Sequence, residues 1–253
     1  DGGRDARAPA AAILEDGDVD PRREIGLRIE DIETPALLID ADALERNIRV
    51  MQEFLAPLPC RCRPHAKTHK CPVIARKQVA AGALGVTCAK ISEAEVMADG
   101  GIESILIANE VAGRGKARRL AELARRVELL AAVGNEAPAR EMAEAAREAG
   151  ATVHVLIELD VGNGRCGVGE ERALELARLV DTLPGLRLRG VMGYEGFCCY
   201  VEDAEKKAAM VREAMGRLIE LRRRFLAAGL PADICSGSST STCRISAMMP
   251  GMT

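Results

Sequence analysis

The chain has 253 residues, 48% of them hydrophobic, with 35 basic against 38 acidic side chains and a formal net charge of -3. That length and apolar share can bury one large core, while the near balance of charge offers no basic face to nucleic acid and no cationic stripe to a membrane surface. No apolar run approaches a membrane span, and the first residues lack the basic-then-apolar order of a secretion signal, so a small-molecule partner and a cytoplasmic home are expected.

Residues 1–24, rich in Ala, Gly, Pro and charge, carry no sustained apolar period and are expected to be mobile, leaving 25–253 as the ordered domain. From Thr34 onward, short apolar or β-branched runs alternate with amphipathic stretches, the rhythm of repeated βα units around a parallel sheet. The runs are PALLID (35–40), RCRPHAK (61–67), GVTCAK (85–90), SILIAN (104–109), ELLAAVG (128–134), TVHVLIELDV (152–161), LRLRGVMGYEG (186–196) and DICSGS (233–238). Eight strands in this rhythm predict an α/β fold of the (β/α)8 TIM-barrel type. Asp40 and Ser92 fit helix caps, Glu95 completes a capping box, and Gly82, Gly150 and Gly229 fit helix stops. A doubly wound open sheet is the alternative, but no GxGxxG follows an early strand, which disfavours its dinucleotide-binding version. Nine cysteines without paired CxxC spacing predict reduced, mostly buried thiols and neither zinc nor disulfides.

In parallel barrels chemistry collects at the C-terminal ends of the strands. RCRPHAKTHK puts His65, Lys67, Thr68 and His69 at one such end. Burial of Lys67 against the neighbouring apolar run would lower its pKa and make the amine a nucleophile toward an aldehyde. Lys70 and Lys77, on the next helix, read as solvated surface charges. Arg165 sits in the glycine-rich DVGNGRCGVG, and Tyr194 lies between Gly193 and Gly196; Tyr200, beyond that strand, suits packing as well as function. The run CSGSSTST, small residues with available N–H groups before a helical start, makes a phosphate cradle. Amine, guanidinium, phenol and cradle together describe a phosphate-bearing aldehyde cofactor.

Residues 34–253 resemble the barrel domain of the D-threonine aldolase and D-serine dehydratase family, which has the alanine racemase fold type. RPHAKTHK matches its RPHxKTHK signature, and TPALLID, VTCAKISEAEVMADGGI, ILIANEV, DVGNGRCGV, MGYEG and SGSSTST match in order. The resemblance implies pyridoxal 5'-phosphate as cofactor, with Lys67 as the catalytic lysine that holds it. It also implies Arg165 near the ring, Tyr194 at the cofactor or its ring nitrogen, and Ser236, Gly237 and Ser238 on the phosphate. His65 is either a cofactor contact or a buried histidine tied to a backbone carbonyl. The implied activity is that of a lyase on a β-hydroxy D-amino acid, D-threonine aldolase-like, giving glycine and an aldehyde. D-serine dehydratase-like deamination, amino-acid racemisation and a non-catalytic pyridoxal-phosphate carrier are the alternatives.

Phe197 stands where many members carry histidine, and Ala89 where some carry glutamine, which loosens any exact substrate assignment. The family also has a C-terminal β domain bearing a histidine and a second metal ligand. A divalent metal is therefore expected only with that domain, and no metal ligand is assigned here. In this fold type TPALLID joins the β domain, so the barrel is expected to be one strand short, with an unpaired edge and no turnover by residues 1–253 alone. The resemblance allows a homodimer.

Overall fold

The computed structural model describes residues 25–253; the expected mobile segment 1–24 lies outside them. Contacts divide the chain into two units, Asp1–Leu44 and Glu45–Thr253. In the first, a 3-10 turn at Ile29–Asp31 precedes the start of α1 (Ala41–Leu55). Asp40 caps that helix as expected, its Oδ1 accepting the Ala43 N–H at 2.8 Å. PALLID, predicted as a strand, forms none: an extended run needs a ladder partner, none pairs with it among the described residues, and Leu37, Leu38 and Ile39 are exposed.

The second unit alternates strand and helix. Its strands are β1 (Val86–Cys88), β2 (Ser104–Glu110), β3 (Glu128–Val133), β4 (Val153–Leu159), β5 (Leu186–Gly193) and β6 (Ile234–Ser236), all parallel and neighbours in sequence order. Between and after them lie α2 (Pro72–Ala80), α3 (Ile91–Asp99), α4 (Arg114–Ala124), α5 (Glu136–Glu148), α6 (Glu170–Thr182), α7 (Ala204–Ala227) and α8 (Cys243–Ser246). The βα barrel class is as expected, but the count is six strands in an open order and not eight.

The missing neighbour of β1 has a local cause. The RCRPHAK run lies alongside β1 yet pairs only through the bridge His65–Thr87. Thr87 donates its N–H to the Pro64 carbonyl and accepts from the Ala66 N–H, both at 2.7 Å, but Pro64 has no N–H of its own to extend the ladder.

The strands read as continuous apolar runs because both faces are covered. Ile105, Ile107, Leu129, Ala131, Val155 and Ile157 join Leu120, Met142, Val180 and Phe225 of the helices in the main core. On the opposite face Leu106, Leu130, Ala132, Leu156 and Met192 form a smaller cluster. One bulge re-aims β5: its register with β4 shifts between Val155 and Leu156, and Gly190 (φ +144) crosses so close to β6 that a Cβ would stand 2.0 Å from the Ile234 carbonyl oxygen.

The predicted stops hold, with Gly82, Gly150 and Gly229 all at positive φ. The predicted cap at Ser92 does not. Helix α3 already begins at Ile91, so Ser92 lies inside it, and the Ala89 N–H is taken by Glu93 Oε2 at 2.8 Å instead. All nine cysteines are free; four are buried and five half-buried, fewer in the core than expected. No helix among the described residues is long and apolar enough to cross a membrane.

Candidate active site

In a parallel sheet all strand C-termini share one rim, and the ends of β4, β5 and β6 lie on it, as does the end of the segment that bridges β1 in parallel at His65. The first segment ends in a turn, closed by the Lys70 N–H on the Ala66 carbonyl at 2.7 Å. The turn buries Ala66 fully and leaves Lys67 exposed. The expectation of a buried Lys67 is therefore corrected: the chain leaves the sheet at Ala66, one residue before the amine. His65 is half-buried, and its Nδ1 accepts the Lys67 N–H at 3.3 Å. Burial first, and then the positive charge of Lys67, push the imidazole down to about 4, so it is neutral at neutral pH with its remaining proton on Nε2. Lys70 and Lys77 are surface charges as read, paired with Glu93 and Glu45.

The loop after β4 is shaped by Asp160, whose Oδ1 accepts the N–H groups of Gly162 (2.9 Å) and Gly164 (3.0 Å). It delivers Arg165 over the ring of Tyr194, 5.0 Å from guanidinium carbon to centroid. Tyr194 follows directly on β5, and the ring folds back onto Gly196, where any Cβ would stand 2.4 Å from a ring carbon. Burial, then the neighbouring Cys199, raise the phenol pKa, while Arg165 works in the opposite direction.

One layer deeper lies a pair of acids that the sequence reading did not single out. Glu158 of β4 is 2% exposed, and its Oε2 has no hydrogen-bond partner. Burial and the adjacent Glu110 carboxylate push Glu158 up to about 7, with Arg165 opposing the shift. Glu110 Oε1 accepts the Gly167 N–H at 3.0 Å and fills the space beside Gly134, where a Cβ would lie 2.1 Å from it. The available signal for Glu158 was an acid flanked by Ile157 and Leu159 inside the run TVHVLIELDV.

Strand β6 runs into Ser236, Gly237 and Ser238. Gly237 passes so tightly that a Cβ would meet Met215 Sδ at 2.8 Å and the Gly193 carbonyl at 2.9 Å. Ser238 has φ +88, and its N–H, expected to be available, is donated to Glu195 Oε2 at 3.2 Å. Glu195 is 0% exposed and also accepts from the Thr242 hydroxyl; it too was not singled out from sequence. Tyr200, by contrast, is 89% exposed and packs on nothing.

The rim thus combines an exposed amine, a fixed guanidinium against a phenol, and a tight Ser-Gly-Ser turn. Among the described residues no group of three or more His, Cys, Asp or Glu side chains is arranged to hold a metal ion. This donor set suits a small anion that also carries an amine-reactive carbonyl: the loop and Arg165 for negative charge, Lys67 for the carbonyl.

Comparison with known proteins gives the same direction. Residues 39–249 match the family described as alanine racemase, N-terminal domain. A D-threonine aldolase of an Arthrobacter species is 35% identical over 228 residues, 90% of this chain and 60% of that protein. The crystal structure of D-threonine aldolase from Filomicrobium marinum superposes with a TM-score of 0.85 at 40% identity, over 87% of this chain and 60% of that one. D-threo-3-hydroxyaspartate dehydratase from Delftia sp. HT23 superposes with a TM-score of 0.81 at 32% identity, over 88% of this chain and 59% of its own. The chain spans about 60% of the length of these relatives.

Proposed function

Because this chain belongs to the family of the alanine racemase N-terminal domain, we propose that it is the cofactor-holding barrel of a pyridoxal-phosphate-dependent lyase acting on a β-hydroxy D-amino acid, D-threonine aldolase-like. The observation that carries the reading is the convergence on one rim of Lys67, the Arg165–Tyr194 stack and the tight Ser236–Ser238 turn. The residues fit the cofactor: packing of Gly237 against Met215 and Gly193 holds the Ser236–Ser238 turn to one path, and the Lys67 amine is exposed.

When bound, pyridoxal phosphate supplies an aldehyde that condenses with amines and a ring that accepts electrons from a substrate's α-carbon. Lys67 would carry the covalent link, and Ser236, Gly237 and Ser238 would hold the phosphate. Lys67 would also serve as the general base or acid, its Nζ accepting or returning a proton at the substrate α-carbon. His65 is uncharged at neutral pH, so it adds no positive charge beside that amine. Arg165, braced on Tyr194, orients an anionic oxygen through its guanidinium N–H groups. A divalent metal, proposed for the full-length protein, would supply Lewis-acid chemistry; among the described residues no group of side chains is arranged to hold it. Nine free thiols suit a reducing compartment, and we place the protein in the cytoplasm.

A second reading, dehydration, draws on the comparable likeness to the Delftia dehydratase. Supplying the full-length protein with the cofactor, a divalent cation and D-threonine or D-3-hydroxyaspartate separates them. Glycine with an aldehyde or glyoxylate marks the aldolase, and ammonia with a keto acid marks the dehydratase. Loss of optical rotation alone would replace both with a racemase, and no change in any substrate would point to the carrier.

A further inference from the structure

Glu195 is a fully buried acid in a position that no part of the reaction described above requires. It follows Tyr194 at the end of β5, yet both its carboxylate oxygens are spent on the loop after β6. Oε2 takes the Ser238 N–H, and Oε1 takes the Thr242 hydroxyl. Thr242 is itself buried, and its Oγ1 in turn accepts the Ser239 N–H at 2.9 Å. A short relay therefore runs from the Ser239 N–H through Thr242 to Glu195, and the two backbone donors at Ser238 and Ser239 are both committed inward.

Two further features need this arrangement. Ser238 sits at φ +88, a conformation that L-residues rarely adopt and that persists only where surrounding bonds over-determine it. A buried carboxyl group without partners would be costly, so Glu195 and the bent loop each supply what the other lacks. The same residue lies next to Tyr194, whose ring is seated on Gly196 and carries Arg165. One side chain thus ties the phenol–guanidinium end of the site to the cradle end.

We propose that Glu195 is a positioning residue for the phosphate cradle: by consuming the Ser238 N–H directly and the Ser239 N–H through Thr242, it fixes the turn so that the anion is met by Gly237 and the Ser236 hydroxyl, the Ser238 hydroxyl being paired with Ser246. This rests on the pyridoxal-phosphate reading above. The chemistry it selects is a terminal phosphate ester on the cofactor, and its effect is absent for the same aldehyde lacking the phosphate.

The test compares pyridoxal phosphate with pyridoxal on the wild-type chain and on Glu195→Gln, Thr242→Val and Thr242→Ser, reading the dissociation constant by absorbance and the borohydride-fixed adduct on Lys67 by mass spectrometry. Glutamine has the shape of Glu195 but only one acceptor oxygen, so one of the two donors loses its partner. The expected result is a loss of about tenfold or more in pyridoxal phosphate affinity for Glu195→Gln and Thr242→Val. Pyridoxal capture at Lys67 stays unchanged, Thr242→Ser restores the wild-type affinity, and the phosphorus NMR line of the bound cofactor shifts only in the two weakened variants. Equal loss for both aldehydes, or unchanged phosphate-dependent binding in Glu195→Gln and Thr242→Val, would overturn the proposal. If Glu195→Gln fails to fold by circular dichroism, Thr242→Val carries the decision alone. Failure of the wild-type chain to form any Lys67 adduct would instead reject the cofactor reading, before any variant is compared.

Discussion

The guanidinium of Arg165 lies over the ring of Tyr194 at 5.0 Å, joining the loop after β4 to the end of β5. The contact fixes a positive charge at the rim, and among the described residues no salt bridge holds it. A cation–π pair at such an exposed place contributes only about 0.5–1 kcal/mol to folding. Arg165→Ala is therefore expected to cost less than about 1 kcal/mol by urea denaturation, while a lost charge-assisted hydrogen bond to a bound anion would cost roughly 1.5–3 kcal/mol of affinity. Parallel measurement of stability and pyridoxal phosphate binding checks it; a large stability loss with unchanged binding would make the pair structural.

Glu158 makes a pH prediction of definite sign. Its pKa is raised to about 7 in the folded chain, against about 4.3 for an unperturbed glutamate. Above the unfolded value the unfolded chain ionises first, so the folded state holds the extra proton. The contribution to stability is intact below about pH 4.3 and is lost as pH rises through about 7, by up to roughly 4 kcal/mol. Glu158→Gln should match wild type at low pH and exceed it at pH 8. Denaturation curves of the two proteins across that range supply the difference.

His65 shifts the other way. Its pKa is pushed to about 4 by burial and by Lys67, from about 6.5 in an unfolded chain. The stability it contributes is present above about pH 6.5 and is lost as pH falls toward about 4. An NMR titration of the imidazole should show its midpoint well below 6, and Lys67→Met should move that midpoint upward by removing the neighbouring charge.

Two glycines test the close approaches that shape the sheet. At Gly190 an added Cβ would strike the Ile234 backbone at 2.0 Å, with φ at +144, so neither the atom nor the conformation can give. Gly190→Ala should destabilise by about 2 kcal/mol or more. At Gly134 the clash is with the carboxylate of Glu110, at 2.1 Å, and a side chain can turn. Gly134→Ala should cost less in folding but release the Gly167 N–H from Glu110. Thermal unfolding of both variants ranks them.

Much of the fold was legible because the strands are covered on both faces: SILIAN and ELLAAVG are continuous apolar runs, and the helices between them keep a helical period. The edges were less so. RCRPHAK has strand composition, but Pro64 withholds the N–H that a ladder needs, and PALLID has the pattern of a strand without a partner. For the site, RPHAKTHK, DVGNGRCGV, MGYEG and SGS each named their own residues. Their supports were hidden because they act across long separations: Glu195 reaches Thr242 over 47 residues, and Glu110 reaches Gly167 over 57. An acid that completes a distant loop looks, in sequence, like any surface charge.

The most direct measurement of the central claim is capture of the cofactor. The purified chain is mixed with pyridoxal phosphate, reduced with borohydride and mapped by mass spectrometry, with circular dichroism confirming that it is folded. A single adduct on Lys67, absent in Lys67→Ala, is the predicted result. A folded chain with no adduct, or with adducts spread over exposed lysines such as Lys70 and Lys77, would contradict it.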